Sequence, residues 1–425
     1  MRRRSLASGA VIRIDQSTLD NGLPLVRLAM EGTRAATALV AFDAGARTER
    51  AEENGMAHFL EHLVFKGGES YPSYRDVNNT AERLGAQLNA YTSHDVVAFH
   101  ITCRGEALIE AIDLLTDFVA RSRLDGEELD RERGVVIQEI ARYNDQPASV
   151  AGHLIDRAVF GEHPLGRPIL GPEEHLRSFE REAIVAFRER RWAPQRGGAF
   201  VAGDLSALDA TRLDELFGRF AGGPDPEPYE PVPAGERRVL VERRDTNQSH
   251  LRLHWRTPVD PTDLAQRAAL AVYSTLLGGS MGSRLFDEIR EQRGLCYAIS
   301  ASPVARADFA GLHVYAGLDS TKCPEAYARI GEIVAELRAE GPTTEEVERA
   351  RAYAAGSTVL ALEGTGAVAR RAAGQKVTFG EVLSPEATIA ALDAVGYDEV
   401  RAVAAGIEGE PAVACVGPHA PAEFE

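Results

Sequence analysis

No stretch of the chain approaches the ~20 uninterrupted apolar residues that a membrane-spanning helix needs, although 44% of its 425 residues are hydrophobic. Cysteine is scarce too, with four residues at positions 103, 296, 323 and 415 and no CxxC spacing among them. That spacing suggests neither a disulfide framework nor a cysteine metal site, and the four read as small buried hydrophobes. Positive charge is in deficit: 47 Lys and Arg stand against 64 Asp and Glu, a formal net charge of −17. A nucleic-acid-binding surface needs a basic patch, so that class is disfavoured. An acidic surface suits basic peptides, or simply solubility. The start, Met1-Arg-Arg-Arg-Ser-Leu-Ala-Ser-Gly-Ala10, is basic but lacks the apolar core of a secretion signal. The expected location is cytoplasmic, with no membrane or nucleic-acid partner.

What is present begins with length, which suggests two domains of about 200 residues. The segment Ala221-Gly-Gly-Pro-Asp-Pro-Glu-Pro-Tyr-Glu-Pro-Val-Pro-Ala-Gly235 is rich in proline and glycine and lacks periodicity, so 221–236 reads as a linker between domains 1–220 and 237–425. Each half repeats one plan. Strand-like alternation (36–42; 250–255) leads to a helix (54–65; 263–277), then strands (86–103; 296–317) and long helices (105–145; 323–376). In 250–255, Leu251, Leu253 and Trp255 alternate with His250, Arg252 and His254. Strands grouped with helices predict an α+β fold, each domain a mainly antiparallel sheet with helices packed on one face.

The most informative run is His58-Phe-Leu-Glu-His62, in an otherwise apolar helix that Gly67-Gly68 brings to a stop. Two histidines at i and i+4 share one helix face, with Cβ atoms about 5–6 Å apart, close enough to bind one Zn²⁺. Glu61 points to the same side and can reach a water at the metal. Three ionisable groups on a buried helix are costly unless paired or metal-bound. A zinc hydrolase needs a third protein ligand and an open position. The helix following Asp125 offers Glu132 and Glu139, seven residues apart on one face with Val135 and Val136 between them. Glu139 reads as a buried carboxylate that needs a cation, and Glu132 as a group that orients a ligand. Glu127, Glu128 and Asp130 fit a solvated face. His250 and His254 are also four apart, but strand periodicity makes them a poor zinc pair. His153, His163 and His175 lie in turn-rich sequence and read as surface histidines. One zinc per chain is expected.

The run His58–Gly67, followed 77 residues after His62 by Glu139, resembles the inverted HxxEH zinc motif of the pitrilysin family. That family includes insulin-degrading enzyme, the mitochondrial processing peptidase and short bacterial peptidases. The resemblance implies two homologous domains, zinc ligands His58, His62 and Glu139, Glu61 as general base on the zinc-bound water, and Glu132 as a supporting glutamate. Leu88-Asn-Ala-Tyr-Thr-Ser93 resembles the strand that pairs with substrate backbone, which points to Asn89 and Ala90. The next run, His94-Asp-Val-Val-Ala-Phe99, departs from the family's usual Arg-Glu-x-Thr-x-Tyr, so side-chain preferences near that strand are the chain's own. Leu276–Tyr297 is similar to the family's glycine-rich segment and the turn after it, with Arg290 and Tyr297 at the spacing of the substrate-binding pair. A guanidinium and a phenol there steady a substrate carbonyl as it becomes an oxyanion.

The function expected is a zinc-dependent endopeptidase acting on peptides or short unfolded segments. Having both the zinc motif and the Arg/Tyr pair implies a self-sufficient homodimer, with pairing to a related chain as the other possibility. The competing reading, also drawn from the resemblance, is a non-catalytic scaffold or partner subunit of a related peptidase.

Overall fold

The computed structural model describes residues 12–235, 238–407 and 409–425. The basic N-terminal run and the end of the linker, at position 236, lie outside the described residues. Contacts divide the chain into two compact units. The first comprises the chain up to Ile137, Ile169–Pro228 and Ala361–Pro385; the second comprises Gln138–Pro168, Tyr229–Leu360 and Glu386–Glu425. The change at 228/229 falls inside the expected linker, where 221–235 has no regular structure. Two segments depart from a simple division into halves: 138–168 joins the second unit and 361–385 the first.

In the first unit, strands β1 (Ile12–Thr18), β2 (Pro24–Met30), β3 (Ala35–Asp43), β4 (Gln87–Thr92), β5 (Val96–Arg104) and β6 (Gly197–Gly203) form a sheet in the order β1-β2-β6-β3-β5-β4. Every neighbouring pair is antiparallel except β2/β6. Strand β4 lies at the open edge. The residues of β3 from Ala36 to Phe42 are all buried, because both faces of the sheet are covered. On one face Phe99 packs against Phe65 and Trp192, with ring centroids 6.1 and 5.1 Å away, and Phe65 in turn meets Phe118 of helix Leu108–Ala120. On the other, Leu39, Ala41, Ala98 and Phe200 meet Val368, Ala369, Ala372 and Ala373 of helix Thr365–Phe379. The small alanines let that helix approach closely. A chain of hydroxyls, Thr102–Thr37–Thr365, with 2.8 Å at each step, pins its first turn.

The second unit repeats this arrangement. Strands β7 (Val239–Arg243), β8 (Gln248–Arg256), β9 (Cys296–Arg306), β10 (Phe309–Asp319) and β11 (Ala412–Gly417) are ordered β7-β11-β8-β10-β9, with β7/β11 the parallel pair. Leu251, Leu253 and Trp255 of β8 enter an apolar core with helices Leu264–Ser274, Cys323–Glu340 and Tyr397–Gly406. Their alternates face helix Pro147–Phe160, whose Ile155, Ala158 and Phe160 pack with Phe309 and Ala414.

The α+β class and the mainly antiparallel sheets match the expectation. Helices on one face only do not, since each sheet gains a second covering helix from the opposite half of the sequence. The region of His153, His163 and His175 also differs from its turn-rich reading. His153 lies on helix Pro147–Phe160 and is half-buried. His163 is buried, its Nε2 3.0 Å from the Glu230 carbonyl oxygen. His175 sits on helix Glu173–Ser178, its Nδ1 3.2 Å from the Asn54 carbonyl oxygen. Pro147 at the first helical position starts the helix that was missed, because its absent N–H costs nothing there. Among the described residues, no helix is long and apolar enough to cross a membrane.

Candidate metal centre

Helix Met56–Val64 carries His58, Glu61 and His62, and seven of its nine residues are buried, the exceptions being Glu61 and His62. Its start needs an unusual backbone. Gly55 has φ of 100°, and a Cβ there would lie 2.6 Å from the Leu170 carbonyl oxygen, so only glycine fits. Glycine supplies no capping side chain, and Glu49 takes that role from six residues upstream. Its carboxylate accepts from the Gly55 and Ala57 N–H groups at 3.0 and 2.7 Å and from Asn54 Nδ2 at 3.0 Å. Burial raises the Glu49 carboxyl to about 7 despite those bonds.

The two imidazoles lie with ring centroids 4.7 Å apart and planes inclined by 59°. Burial, and then the neighbouring His62, push His58 down to about 3, so at neutral pH its ring is uncharged and keeps a lone pair to give. Glutamates 132 and 139 ride on one continuous helix, Gly126–Asn144. The division between the compact units falls within this helix, after Ile137. One donor atom each from His58, His62 and Glu139 fall within 4.8 Å of one another. Two neutral imidazoles and one carboxylate make the donor set of a hydrolytic zinc site, so these residues fit that ion.

Glu132 is buried and braces the site. Its Oε1 lies 3.0 Å from His62 Nδ1, and its Oε2 accepts from Lys66 Nζ at 2.5 Å. Burial works against its charge, but the bonds from His62 and Lys66 prevail and hold the carboxyl below its usual value. With the carboxylate on Nδ1, Nε2 is the nitrogen His62 would present to a metal. The helix face differs from the sequence reading in one respect. Val136 is buried, whereas Val135 is 50% exposed. The buried stripe is Leu129, Glu132 and Val136, so Glu139 lies at its margin, half-buried, with Arg142 3.5 Å from its Oε1.

Three contributors were not singled out from sequence. Thr92 Oγ1 donates to Glu61 Oε2 at 2.5 Å and fixes the carboxylate. Strand alternation, which puts Leu88, Ala90 and Thr92 on one face, contains that signal. Lys66, one turn beyond His62, was legible by the same helical spacing that gave the histidines. Glu49 carries no local signal. The atypical run after β4 proves structural: Asp95 is buried and paired with Arg47 at 3.2 Å, which ties the β4–β5 turn to the loop leading into the histidine helix. Asn89 is exposed on edge strand β4, beside half-buried Ala90.

In the second unit, the π-helical turns Thr275–Gly279 and Phe286–Gln292 flank the glycine-rich segment. Such turns cluster at functional sites. The Arg290 guanidinium lies 5.6 Å from the centre of the Tyr297 ring, and Tyr297, at the start of β9, is 82% exposed. The structure therefore brings these two residues together.

The profile of Insulinase (Peptidase family M16) matches residues 26–173, and that of the Peptidase M16 inactive domain matches residues 178–353. The chain is 31% identical to the uncharacterised zinc protease YmxG of Bacillus subtilis over 92% of this chain and 95% of that one. The chain belongs to peptidase family M16. It is also 28% identical to the probable mitochondrial-processing peptidase subunit beta of Schizosaccharomyces pombe, covering 97% of this chain and 93% of the relative. Among solved structures, a peptidase M16 inactive domain from Pseudomonas fluorescens superposes with a TM-score of 0.87 at 16% identity, over 96% of this chain and 99% of that one. At that identity the likeness concerns the M16 fold alone. The two matched profiles succeed each other along the chain, and each spans parts of both compact units.

Proposed function

We propose that the chain is a zinc endopeptidase that cleaves extended peptides or short unfolded segments. The observation that carries this reading is the convergence, within 4.8 Å, of donors from His58 and His62, on the helix that also bears Glu61, and from Glu139 on helix Gly126–Asn144. Zinc held by those three residues would supply Lewis acidity and acidify water there. Glu61 would serve as general base, taking the proton of the attacking water and giving it to the leaving amine. Thr92, donating to Oε2 of Glu61, orients the carboxylate for that role. Glu132 and Lys66 hold His62 in register. The open edge of β4 at Asn89 and Ala90 suits a substrate strand added by backbone hydrogen bonds, which selects extended chains over folded ones. Arg290 and Tyr297 would steady the carbonyl oxygen as it gains charge.

We further propose a cytoplasmic homodimer as the working form; light scattering on the purified protein reads its mass directly. The second reading, a non-catalytic subunit, draws on the inactive-domain likeness of the Pseudomonas structure. One experiment separates the two readings. Gently purified protein is assayed for zinc and incubated with a mixed peptide library, with cuts mapped by mass spectrometry and Glu61→Gln as control. Zinc with cuts that vanish in the control supports the peptidase. An empty site and no cuts establish the scaffold.

A further inference from the structure

A second group of metal-capable side chains lies wholly within the second unit, apart from the centre described above. Cys323 opens helix Cys323–Glu340, Cys415 sits in the middle of β11, and His419 follows that strand by two residues. One donor atom from each falls within 4.8 Å of the others. All three are buried, at 0%, 0% and 5% exposure. The imidazole is held at both nitrogens: Nδ1 lies 3.0 Å from Glu423 Oε2, and Nε2 lies 2.7 Å from Ser249 Oγ.

The hydroxyl network sets the direction of the bond at Nε2. Ser249 Oγ donates to Ser320 Oγ at 3.0 Å, and Ser320 donates to the Thr246 carbonyl oxygen at 2.9 Å. The Ser249 proton is thus used elsewhere, so at 2.7 Å Ser249 Oγ accepts from Nε2–H, and a cation taking Nε2 would displace that proton beside two buried sulfurs. A carboxylate on the far nitrogen is how proteins orient a metal-ligating histidine. Sequence spacing gave no sign of this group, because its members are 92 and 4 residues apart along the chain.

We propose that Cys323, Cys415 and His419 form a second metal site, one that takes a thiophilic d¹⁰ cation, Zn²⁺ or Cu⁺, and fastens the C-terminal segment to the sheet. Both sulfurs bind as thiolates, so each ion bound releases two thiol protons to solvent. Two sulfurs and an imidazole satisfy Cu⁺ as they stand; Zn²⁺ would draw a fourth donor from Ser249.

The test uses the full chain, reduced and stripped of metal, titrated with Co²⁺. Only thiolate ligation gives the near-ultraviolet sulfur-to-cobalt charge-transfer band, which the imidazole–carboxylate centre cannot produce. The expected result is two ions per wild-type chain with that band. Cys323→Ala/Cys415→Ala should bind one ion without the band, and His58→Ala one ion with it. Because the double variant alters a core, circular dichroism accompanies it, and His58→Ala carries the test alone if that variant fails to fold. Displacement of the band by one equivalent of Zn²⁺ assigns zinc, and displacement by Cu⁺ alone assigns copper. Absence of the band in folded, fully reduced wild type overturns the site. So does a wild-type chain isolated with these two thiols already joined as a disulfide. Peptide cleavage plays no part in the readout, so failure of this site and failure of the peptidase reading are separate outcomes.

Discussion

Each sheet is sealed on its second face by a helix from the other half of the sequence, and the two seals differ in chemistry. On the first sheet the seal is mostly alanine and valine: Val368, Ala369, Ala372 and Ala373 over Leu39, Ala41 and Ala98, with His100 near the Arg370 charge. On the second it is half ionic. Gly152 lies against the Arg252 guanidinium, Arg252 bonds to His313 Nε2 at 2.9 Å, His254 is buried, and Asp156 is half-buried within the charge of Arg306 and Arg252. The same architecture thus tolerates either solution, provided buried charge finds partners. Histidines i and i+4 on a helix converge on one point, whereas His250 and His254 on a strand are separated by its rise. Secondary structure, not histidine content, decides which histidine pair can converge on one ion.

The largest effects should come from breaking that asymmetry. Alanine at His58, His62 or Glu139 should remove zinc and activity together, while His254→Leu should leave both untouched. Glu61→Gln should retain zinc, measured by elemental analysis, and lose roughly 10²–10⁴-fold in turnover, since an amide takes no proton. Full activity in that variant would sink the mechanism. Tyr297→Phe should keep zinc yet slow turnover by about 10²–10³-fold, the loss of one oxyanion donor; an unchanged kcat would confine the Arg/Tyr pair to structure.

Smaller effects sharpen the comparison. Glu132→Ala should weaken zinc affinity by roughly 10–100-fold without abolishing binding. If it loses the metal outright while Glu139→Ala retains it, the two glutamates have exchanged roles. Gly311→Ala should cost the second unit about 1–3 kcal/mol in denaturant melts, because a Cβ there would lie 2.3 Å from His254 Nε2. The smallest effect is pH. Burial lowers His254 to about 3 and His313 to about 4, with the neighbouring arginines adding to it, and lowers His153 as well. Between those values and 6.5 the unfolded chain binds more protons, so this stability is whole above the unfolded value and drains away as pH falls. Asp156, raised to about 6 by burial against the pull of Arg306 and Arg252, works in the opposite sense, because the folded chain takes up its proton first. Three histidines against one aspartate predict a net loss of denaturant stability on acidification. A flat profile down to about pH 4 would mean that the ionic seal opens no more readily than the apolar one.

The metal centre was legible because its signals are local. Helical periodicity joined His58 to His62, and the same period joined Glu132 to Glu139. It misplaced Val135 for a physical reason: the two valines project about 100° apart, so a stripe centred on Leu129 and Val136 leaves Val135 in solvent. The exchanged helices were not legible. An amphipathic helix declares that it needs a partner, but not which of two similar sheets provides it. Helix Pro147–Phe160, with a proline, a glycine and a histidine in its first two turns, also lacks the composition that marks a helix. The Cys323–Cys415–His419 group was hidden likewise, since sequence spacing carries no record of a contact closed by the fold.

The exchange of covering helices has a consequence for synthesis. A ribosome releases the strands of the first sheet by residue 203, but the helix that seals its second face lies at Thr365–Phe379. For some 160 residues of elongation the nascent chain carries Leu39, Ala41 and Phe200 on an uncovered face. Such surfaces recruit chaperones or aggregate. A truncated product that already holds both histidines and both glutamates would still lack a wall of its own core, so only a chain translated nearly to its end yields a finished first unit.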